Sequence, residues 1–489
     1  MPAKRILSAA LALLLVAAIP ARATGVPTIT VVDAINPGAG SSGAMDSSSS
    51  VALDGWLYFA ANDFVFGEEL WRTNGAVTEL VKDIRDGGDS RPDYLTAFGD
   101  LIYFTAYDES NGVELWRTDG TAAGTEIVLD IRSGGADSSP ESLTVIGDWL
   151  YFSANDGTGA EPWRTNGTVT ERVANINSSG GGGAFGFAGF GEYVYFMAND
   201  GSNGWELWRT NGTDTPIVEN INPTGDAYPS SMTAFNGYLY FQANDGTHGT
   251  ELWRTNGTTT ELVGDIQSGA DGSNPYAFTA LNGYLYFSAN DGTHGYELWR
   301  TNGTATAMFA EINPAGNANP GNYGVFTEFN GYLYFDANDG ESGTELWRTN
   351  GTTTARVADI NQNTSAGSYP WAYVPLGDWL YFTASDGVTF GDAQLWRTNG
   401  TDTELVPFPD ANQGIECDCY DSIVAAGGRL FTTVYSSTVG HEFAYLDEPT
   451  YVLPETNREA SVWTTTLVIL AGLTAAASIG LRLRGVKRA

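Results

Sequence analysis

The chain has 489 residues, a net charge of −35 and only two cysteines and three histidines. So acidic a chain repels nucleic acid and anionic lipid, which excludes a nucleic-acid partner. The few cysteines and histidines disfavour a structural zinc site.

The first 23 residues have the pattern of a secretory signal peptide. Lys4 and Arg5 precede an apolar run over residues 6–19, and the sequence Ala-Arg-Ala at residues 21–23 is typical of a cleavage site. We therefore expect residues 1–23 to direct export and the mature chain to begin near Thr24.

A repeated sequence follows and fills most of the chain. It is aligned on the triplet Trp-Arg-Thr, which recurs every 45–49 residues at Trp71, Trp116, Trp163, Trp208, Trp253, Trp299, Trp347 and Trp396. Each copy has four short runs of β-branched or aromatic residues, as at 215–221, 232–235, 238–243 and 250–255. Turn-forming residues separate the runs, so each unit is predicted to be four strands.

An Asn-Gly pair follows the triplet in most units. Asn-Gly is the preferred pair for a two-residue type I′ hairpin, because both positions need positive φ. The sequence therefore predicts such a hairpin at Asn256-Gly257 and at the equivalent Asn166, Asn211, Asn302, Asn350 and Asn399.

The fold class follows from the unit size and from the two ends of the repeat. Four strands in about 45 residues are typical of a propeller blade. Residues 28–35 match a fourth strand with nothing before it, whereas residues 422–447 supply three strands and stop. We predict an all-β chain whose residues 24–447 form a single β-propeller, closed by the N-terminal strand. Nine blades are the first interpretation and eight the alternative.

The repeated side chains are interpreted as structural. Blades pack on both faces, so a tryptophan in every unit is expected to fill the space between neighbouring blades, with sugar stacking as the alternative. Glu and Arg recur three residues apart, as at Glu251 and Arg254. Catalytic acids are rarely copied in every blade, so we expect interblade ion pairs or hydrogen bonds from this pattern and no catalytic residue.

The connections between units vary, and variable loops on a rigid scaffold are where binding usually occurs. An acid or amide recurs there, at Asp89, Asp137, Asp226, Asp271 and Asn317. Aromatic residues follow in several copies, at Tyr94, Tyr228, Tyr276, Tyr323 and Trp371. These residues are the predicted binding set. No cofactor is expected: a turn closed by the side chain explains one acid per loop, and calcium is the alternative.

Cys417 and Cys419 are separated by one residue. Export permits a disulfide between them, although a bridge across a single residue is geometrically tight. Two free thiols are the alternative.

The C-terminal end is predicted to anchor the protein. Residues 448–462 form a linker, residues 463–481 are apolar and long enough to cross a bilayer, and residues 482–489 form a basic tail that is expected in the cytoplasm. The linker contains Leu-Pro-Glu-Thr-Asn at 453–457, and this order resembles the sorting signal of sortase-anchored wall proteins. The resemblance implies cleavage after Thr456 by a sortase, but Asn457 replaces the usual glycine. A single-span anchor is the alternative.

The repeat itself resembles the ELWxxDGT repeats of exported bacterial proteins. The line "GTELWRTNGT" and the fuller "DGTAAGTEIVLDI" at residues 119–131 carry the resemblance, which extends over residues 28–447. It implies a surface or secreted protein without catalytic residues. The expected function is binding or display on the outer face of the cell envelope, with a glycan or protein partner. A carbohydrate-active propeller enzyme and a purely structural envelope protein are the alternatives.

Overall fold

The protein is a nine-bladed β-propeller, which confirms the predicted fold class and the first of the two blade counts. The computed structural model describes residues 28–32, 35, 50–323, 326–362, 366–388, 393–407, 415–417, 423–436 and 440–447. These residues form strands, turns and loops without a helix, so no helix that could cross a membrane occurs in this part of the chain. The predicted signal peptide, linker, membrane span, basic tail, Cys419 and Thr456 lie outside the described residues.

Each of the first eight blades is a four-stranded antiparallel meander. The first strand, β1 (Thr28–Val31), belongs to blade 9. Blade 1 contains β2 to β5, and blades 2 to 4 contain β6 to β17. Their bounds are Ser50–Leu53, Trp56–Asn62, Glu68–Thr73 and Thr78–Lys82; Asp93–Phe98, Leu101–Asp108, Gly112–Thr118 and Glu126–Leu129; Glu141–Ile146, Trp149–Asn155, Ala160–Thr165 and Thr170–Arg172; and Phe185–Phe190, Tyr193–Asn199, Trp205–Thr210 and Ile217–Glu219.

Blades 5 to 8 contain β18 to β33. Their bounds are Ser230–Phe235, Tyr238–Asn244, Thr250–Thr255 and Thr260–Gly264; Tyr276–Leu281, Tyr284–Asn290, Tyr296–Thr301 and Thr306–Ala310; Thr327–Phe329, Tyr332–Asn338, Thr344–Thr349 and Thr354–Ala358; and Trp371–Leu376, Trp379–Ala384, Gln394–Thr398 and Thr403–Leu405. The first strand of a blade lies next to the first strand of its neighbour, as β14 does with β18, and these innermost strands line the central channel.

Blade 9 closes the ring from both ends of the repeat. Its strands are β1 (Thr28–Val31), β34 (Ile415–Cys417), β35 (Ile423–Ala426), β36 (Arg429–Ser436) and β37 (Gly440–Asp447). β1 is the outer strand and pairs antiparallel with β37, from Thr28 opposite Asp447 to Val31 opposite Ala444. β35 lies between β30 of blade 8 and β2 of blade 1. The predicted closure by the N-terminal strand is therefore confirmed.

The core consists of apolar clusters between successive blades. Side chains alternate along a strand, so a second strand packed on both faces must be apolar throughout. Leu239 and Phe241 pack against Tyr195 and Leu207 of blade 4, whereas Tyr240 faces blade 6, and all five residues are buried. The repeated sequence Tyr-Leu-Tyr-Phe follows from this two-sided burial.

The eight repeated tryptophans also lie against these interblade clusters. Trp253, for example, packs at the cluster between blades 4 and 5. Trp116, Trp163 and Trp208 are 6%, 8% and 9% exposed. This burial leaves little of their ring surface accessible to a sugar.

The prediction of a two-residue type I′ hairpin at Asn256-Gly257 is wrong. Thr255 pairs with Thr260, so the loop has four residues, and within it only Gly257 has positive φ, at 86°. The Asn256 Oδ1 atom accepts hydrogen bonds from the N–H groups of Thr258 and Thr259, which closes the longer loop. Positive φ at both positions occurs instead at Asn236-Gly237, between the first two strands, with values of 46° and 79°.

The repeated arginine joins each blade to the next. Arg254 stacks on the Tyr238 ring at 4.2 Å, bonds to Glu261 of its own blade and donates to the Gly303 carbonyl of blade 6 at 2.6 Å. Equivalent bonds between neighbouring blades run from Arg117 to Gly167, Arg164 to Gly212, Arg209 to Gly257 and Arg300 to Gly351. Arg429 of blade 9 donates to the Asn74 carbonyl of blade 1, so the same contact closes the ring.

We expect Arg254→Leu to destabilise the protein by about 2 kcal/mol, because the Glu261 carboxylate and the Gly303 carbonyl, in two different blades, lose their half-buried guanidinium donor. The thermal unfolding midpoint, followed by circular dichroism, measures the loss. Arg132→Leu is the control, since the Arg132 guanidinium donates to the Asp137 carbonyl within its own connection. Equal midpoints for Arg254→Leu and the wild type would show that the interblade contact contributes nothing.

Candidate binding rim

The propeller has two unlike rims. In blade 5 the turns at 236–237 and 256–259 lie on one side, which we name the turn rim. The loop at 245–249 and the connection at 265–275 lie on the opposite side, which we name the loop rim. The antiparallel meander gives every blade the same division. The predicted binding residues lie in the connections of the loop rim or at the start of the innermost strands that follow them.

Four of the predicted acids and amides brace the connections of the loop rim. The Oδ1 atoms of Asp89, Asp137, Asp226 and Asn317 accept hydrogen bonds from the N–H groups of Glu68, Val113, Trp205 and Tyr296, at 2.8–2.9 Å. Each bond fixes a connection to the start of the third strand, more than twenty residues earlier, so these side chains do not close local turns. Asp271 is exposed.

The repeated glutamate of the third strand also binds the connection between blades. Glu251 accepts hydrogen bonds from the N–H groups of Ile266, Gln267 and Ser273 and from the Ser273 hydroxyl, the last at 2.5 Å. The glutamate and the arginine of the repeat thus have different partners: the arginine makes the expected interblade hydrogen bond, and the glutamate binds the connection that leads to the next blade. The equivalent fully buried glutamates are Glu69, Glu114, Glu161, Glu206, Glu297 and Glu345.

Burial raises the pKa of these carboxyl groups, and hydrogen bonds from the connection offset only part of the rise. For Glu69, Glu206 and Glu297 the pKa rises from 4.5 to about 7. A carboxyl group with a raised pKa binds more protons in the folded state than in the unfolded state between these two values. Such a carboxyl group therefore stabilises the folded state below pH 4.5, and this contribution is lost as the pH rises through 7.

We therefore expect the thermal unfolding midpoint to increase as the pH falls from 8 to 5. Glu206→Gln should flatten this dependence, because the amide cannot ionise at a site whose pKa is raised to about 7. Glu192→Gln, which alters an exposed glutamate in the first turn of the same blade, should leave it unchanged. A midpoint that falls steadily between pH 8 and pH 5 in the wild type would contradict this expectation.

The loop rim also has a repeated left-handed residue that was not predicted from the sequence. One residue at the end of each connection in blades 2 to 8 has a left-handed backbone, with φ between 44° and 59°; these are Arg91, Ser139, Gly183, Tyr228, Asn274, Asn319 and Tyr369. Such values are uncommon outside glycine. Six of the seven precede a buried proline, and their own side chains are exposed or half-buried. Six of these seven blades thus display one variable side chain on a fixed backbone.

In blades 5 to 8 these displayed residues are tyrosine or asparagine. We name Tyr228, Asn274, Asn319 and Tyr369, together with Tyr323, the rim arc. The Tyr228 ring is 54% exposed, and its hydroxyl donates to the Asp226 carboxylate at 2.9 Å. Tyr323 and Tyr369 are 50% and 49% exposed, and their ring centroids are 5.3 Å apart in an edge-to-face arrangement. Tyr228 and Tyr323 are among the predicted binding residues. Asn274, Asn319 and Tyr369 were not predicted.

The other predicted aromatic residues lie at the start of innermost strands. Tyr276 and Trp371 begin β22 and β30 and are half-buried. Tyr276 contacts the Tyr296 ring at 5.8 Å, and burial raises the pKa of its phenol to about 12. These two half-buried side chains therefore support the connections and expose little ring surface to a ligand.

Blades 2 and 3 have a different, acidic character. Asp93 and Glu141 both begin innermost strands, and Tyr94 follows Asp93 with 40% of its surface exposed. Burial raises the pKa of Glu141. Burial and the charges of Asp93 and Glu141 raise the pKa of the Tyr94 phenol, so the three groups influence one another.

Blade 1 departs from the repeat at the loop between its second and third strands. The position occupied by Gly246 in blade 5, with φ of 78°, is Phe64 here, with φ of 61°. Phe64 and the adjacent Val65 are 67% and 72% exposed. The loop rim therefore varies between blades even where its hydrogen bonds repeat.

Calcium, the alternative for the rim acids, needs six or more oxygen ligands close together. Within the described ranges, no group of three or more His, Cys, Asp or Glu residues is placed to hold a metal ion. His248 and His294 bond to Asp245 and Asp291 of their own loops, each at 2.7 Å.

Comparison with known proteins gives no family. No family model and no curated protein matches the chain. Among solved structures, the chain is similar to prolyl endopeptidases (TM-score 0.39, 11% identity, 71% of this chain and 54% of that chain). It is also similar to a puromycin hydrolase (0.36, 14%, 71% and 58%) and to oligopeptidase B from Leishmania major (0.37, 12%, 70% and 53%). The chain spans just over half the length of these proteins.

Proposed function

We propose that the protein is a non-catalytic binding propeller, exported and held at the outer face of the cell envelope, that contacts a glycan or protein through its loop rim. The observation that carries the proposal is the rim arc, the displayed residues of blades 5 to 8 with Tyr323. Their side chains differ from blade to blade, whereas the backbone that presents them is the same.

The energetic arrangement favours recognition. A non-glycine residue in the left-handed region costs of order 1 kcal/mol or more, and such strain clusters at functional sites. Here the strain recurs in successive blades and is held by the buried glutamate and by the braces at Asp89, Asp137, Asp226 and Asn317. A fixed backbone lowers the entropy lost when a ligand orders the displayed side chains.

The cellular location rests on the sequence. The signal peptide, the apolar segment at 463–481 and the basic tail support export followed by membrane anchoring, and the Leu-Pro-Glu-Thr-Asn segment supports a sortase as processing partner. An acidic exterior keeps such a domain soluble and apart from anionic surfaces.

The binding proposal can be tested with a variant that removes the displayed side chains and keeps the fold. Tyr228→Gly, Asn274→Gly, Asn319→Gly and Tyr369→Gly are combined in the arc variant. Glycine is favoured at positive φ, and Gly183 occupies this position naturally in blade 4, with φ of 59°. The control variant combines Arg91→Gly and Ser139→Gly, the same position in blades 2 and 3.

Binding of the labelled, full-length protein to arrays of glycans and extracellular proteins is the measurement. We expect the wild type and the control variant to bind the same ligands and the arc variant to lose them. Equal binding by all three proteins would show that the rim arc does not form the binding site.

A second candidate function is carbohydrate hydrolysis, favoured by Asp93 and Glu141, which begin neighbouring innermost strands and both act on the Tyr94 phenol. Two carboxyl groups, one with a raised pKa, are the usual requirement for glycosidic bond cleavage. Release of reducing ends from oligosaccharides that is abolished by Glu141→Gln would support it. No release by the wild type would leave binding as the function.

A further inference from the structure

We infer that the ligand of the rim arc is an uncharged glycan chain. This inference rests on the proposed function and adds the ligand class. It is carried by the order of the displayed side chains over four successive blades: tyrosine, asparagine, asparagine and tyrosine, at residues 228, 274, 319 and 369.

The two ends of the arc offer aromatic surface. Tyr228 projects from blade 5, and the Tyr323 and Tyr369 pair projects from blades 7 and 8, each ring about half exposed. An exposed aromatic ring presents an apolar face, against which the C–H face of a pyranose ring can pack while its hydroxyls stay in water. In this edge-to-face pair one ring contacts its partner through an edge and the other through one face. Ring surface on both tyrosines therefore remains for a ligand.

The middle of the arc offers amides. Asn274 and Asn319 occupy equivalent positions in blades 6 and 7. The Asn274 Nδ2 atom donates to the Gly272 carbonyl at 3.1 Å, which orients the amide. An amide both donates and accepts, as adjacent sugar hydroxyls do, so it suits a polyhydroxylated ligand better than an apolar or singly charged one.

The channel wall next to the arc adds further contacts. A cavity of about 370 Å³ is lined by the innermost strands of blades 4 to 6, including Ser231, Thr233, Ala277 and Thr279. Ser231 and Ala277 each follow an arc residue by three positions, so the cavity begins beside the arc. Its mixture of hydroxyl and apolar groups matches the surface of a sugar.

Charge decides between neutral and acidic glycans. The chain has a net charge of −35, and the arc residues carry no positive charge. Recognition of carboxylate or sulfate groups normally uses arginine or lysine. The exposed arginine at a displayed position, Arg91, is in blade 2, outside the arc. An acidic glycan would therefore meet repulsion that the arc does not offset.

The test is isothermal titration calorimetry on the full-length protein in a polyoxyethylene detergent, since a maltoside detergent would itself present sugar. The probes are neutral hexasaccharides of glucose, mannose and N-acetylglucosamine, with oligogalacturonate as the acidic probe. We expect at least one neutral hexasaccharide to bind, and the arc variant to lose roughly tenfold or more in affinity. The control variant should remain within about twofold of the wild type.

Three results would overturn the inference: no neutral hexasaccharide binds, oligogalacturonate binds more tightly, or the control variant loses as much affinity as the arc variant. Circular dichroism melting of both variants ensures that a loss is not caused by unfolding. If the arc variant loses a protein ligand on the arrays while the hexasaccharides fail to bind, the binding function stands and the glycan inference falls.

Discussion

Deletion of residues 24–40 is expected to lower the thermal unfolding midpoint by roughly 6 °C, at about 5 kcal/mol of lost stability. The deletion removes β1, which forms the outer strand of blade 9 and pairs with β37 along its whole length. It also removes Val32 and Ile35, which are 5% and 6% exposed and pack with Leu57 and Phe59 of blade 1. Each such side chain contributes about 1.5–3 kcal/mol.

The matched control is deletion of residues 24–27, which precede β1 and should leave the midpoint unchanged. Differential scanning calorimetry of both deletions, beside the wild type, measures the difference. An unchanged midpoint after removal of residues 24–40 would mean that the ring does not depend on the strand that joins its two ends.

Replacement of Glu251 by alanine is expected to cost about 3–5 kcal/mol, since it leaves one buried and two half-buried N–H groups and one buried hydroxyl without their acceptor. Those groups belong to Ile266, Gln267 and Ser273, and Asn274 of the rim arc follows directly. The same substitution should therefore weaken ligand binding by loosening the connection that presents Asn274.

Two further substitutions make this prediction specific. Glu251→Gln keeps an acceptor and should cost less, since blade 8 has Gln394 at the same position. Glu261→Ala should have a small effect, because the Glu261 side chain is 48% exposed. Thermal midpoints rank the three variants. A cost for Glu251→Ala no greater than that for Glu261→Ala would contradict the assigned role.

The fold could be predicted because the same structural unit recurs along the sequence. A period near 45 residues gives the blade, the apolar second strand gives two-sided packing, and the unmatched strands at 28–35 and 422–447 give the closed ring. The predictions that failed depend on contacts between distant residues. The loop at Asn256-Gly257 has four residues because Thr255 pairs with Thr260 and because Gly257 must approach Tyr195 and Arg209 of blade 4.

The site was predicted only in part for the same reason. The rim acids were visible as a recurring residue type, but their role as braces comes from bonds to strands more than twenty positions earlier, as between Asp226 and Trp205. The buried glutamate likewise binds a connection about fifteen residues later. The displayed residues had a local signal that was overlooked, namely a variable residue before a repeated proline, as at Tyr228 and Asn274.

Hydrogen–deuterium exchange of the ligand-bound protein tests most directly the claim that repeated residues build the ring and variable residues on the loop rim bind. With any ligand found on the arrays, we expect slower exchange in the connections around residues 226–232, 272–279, 317–323 and 367–372. The turns at 256–259 and 302–305 on the turn rim should exchange as in the free protein. Protection confined to the turn rim would contradict the claim.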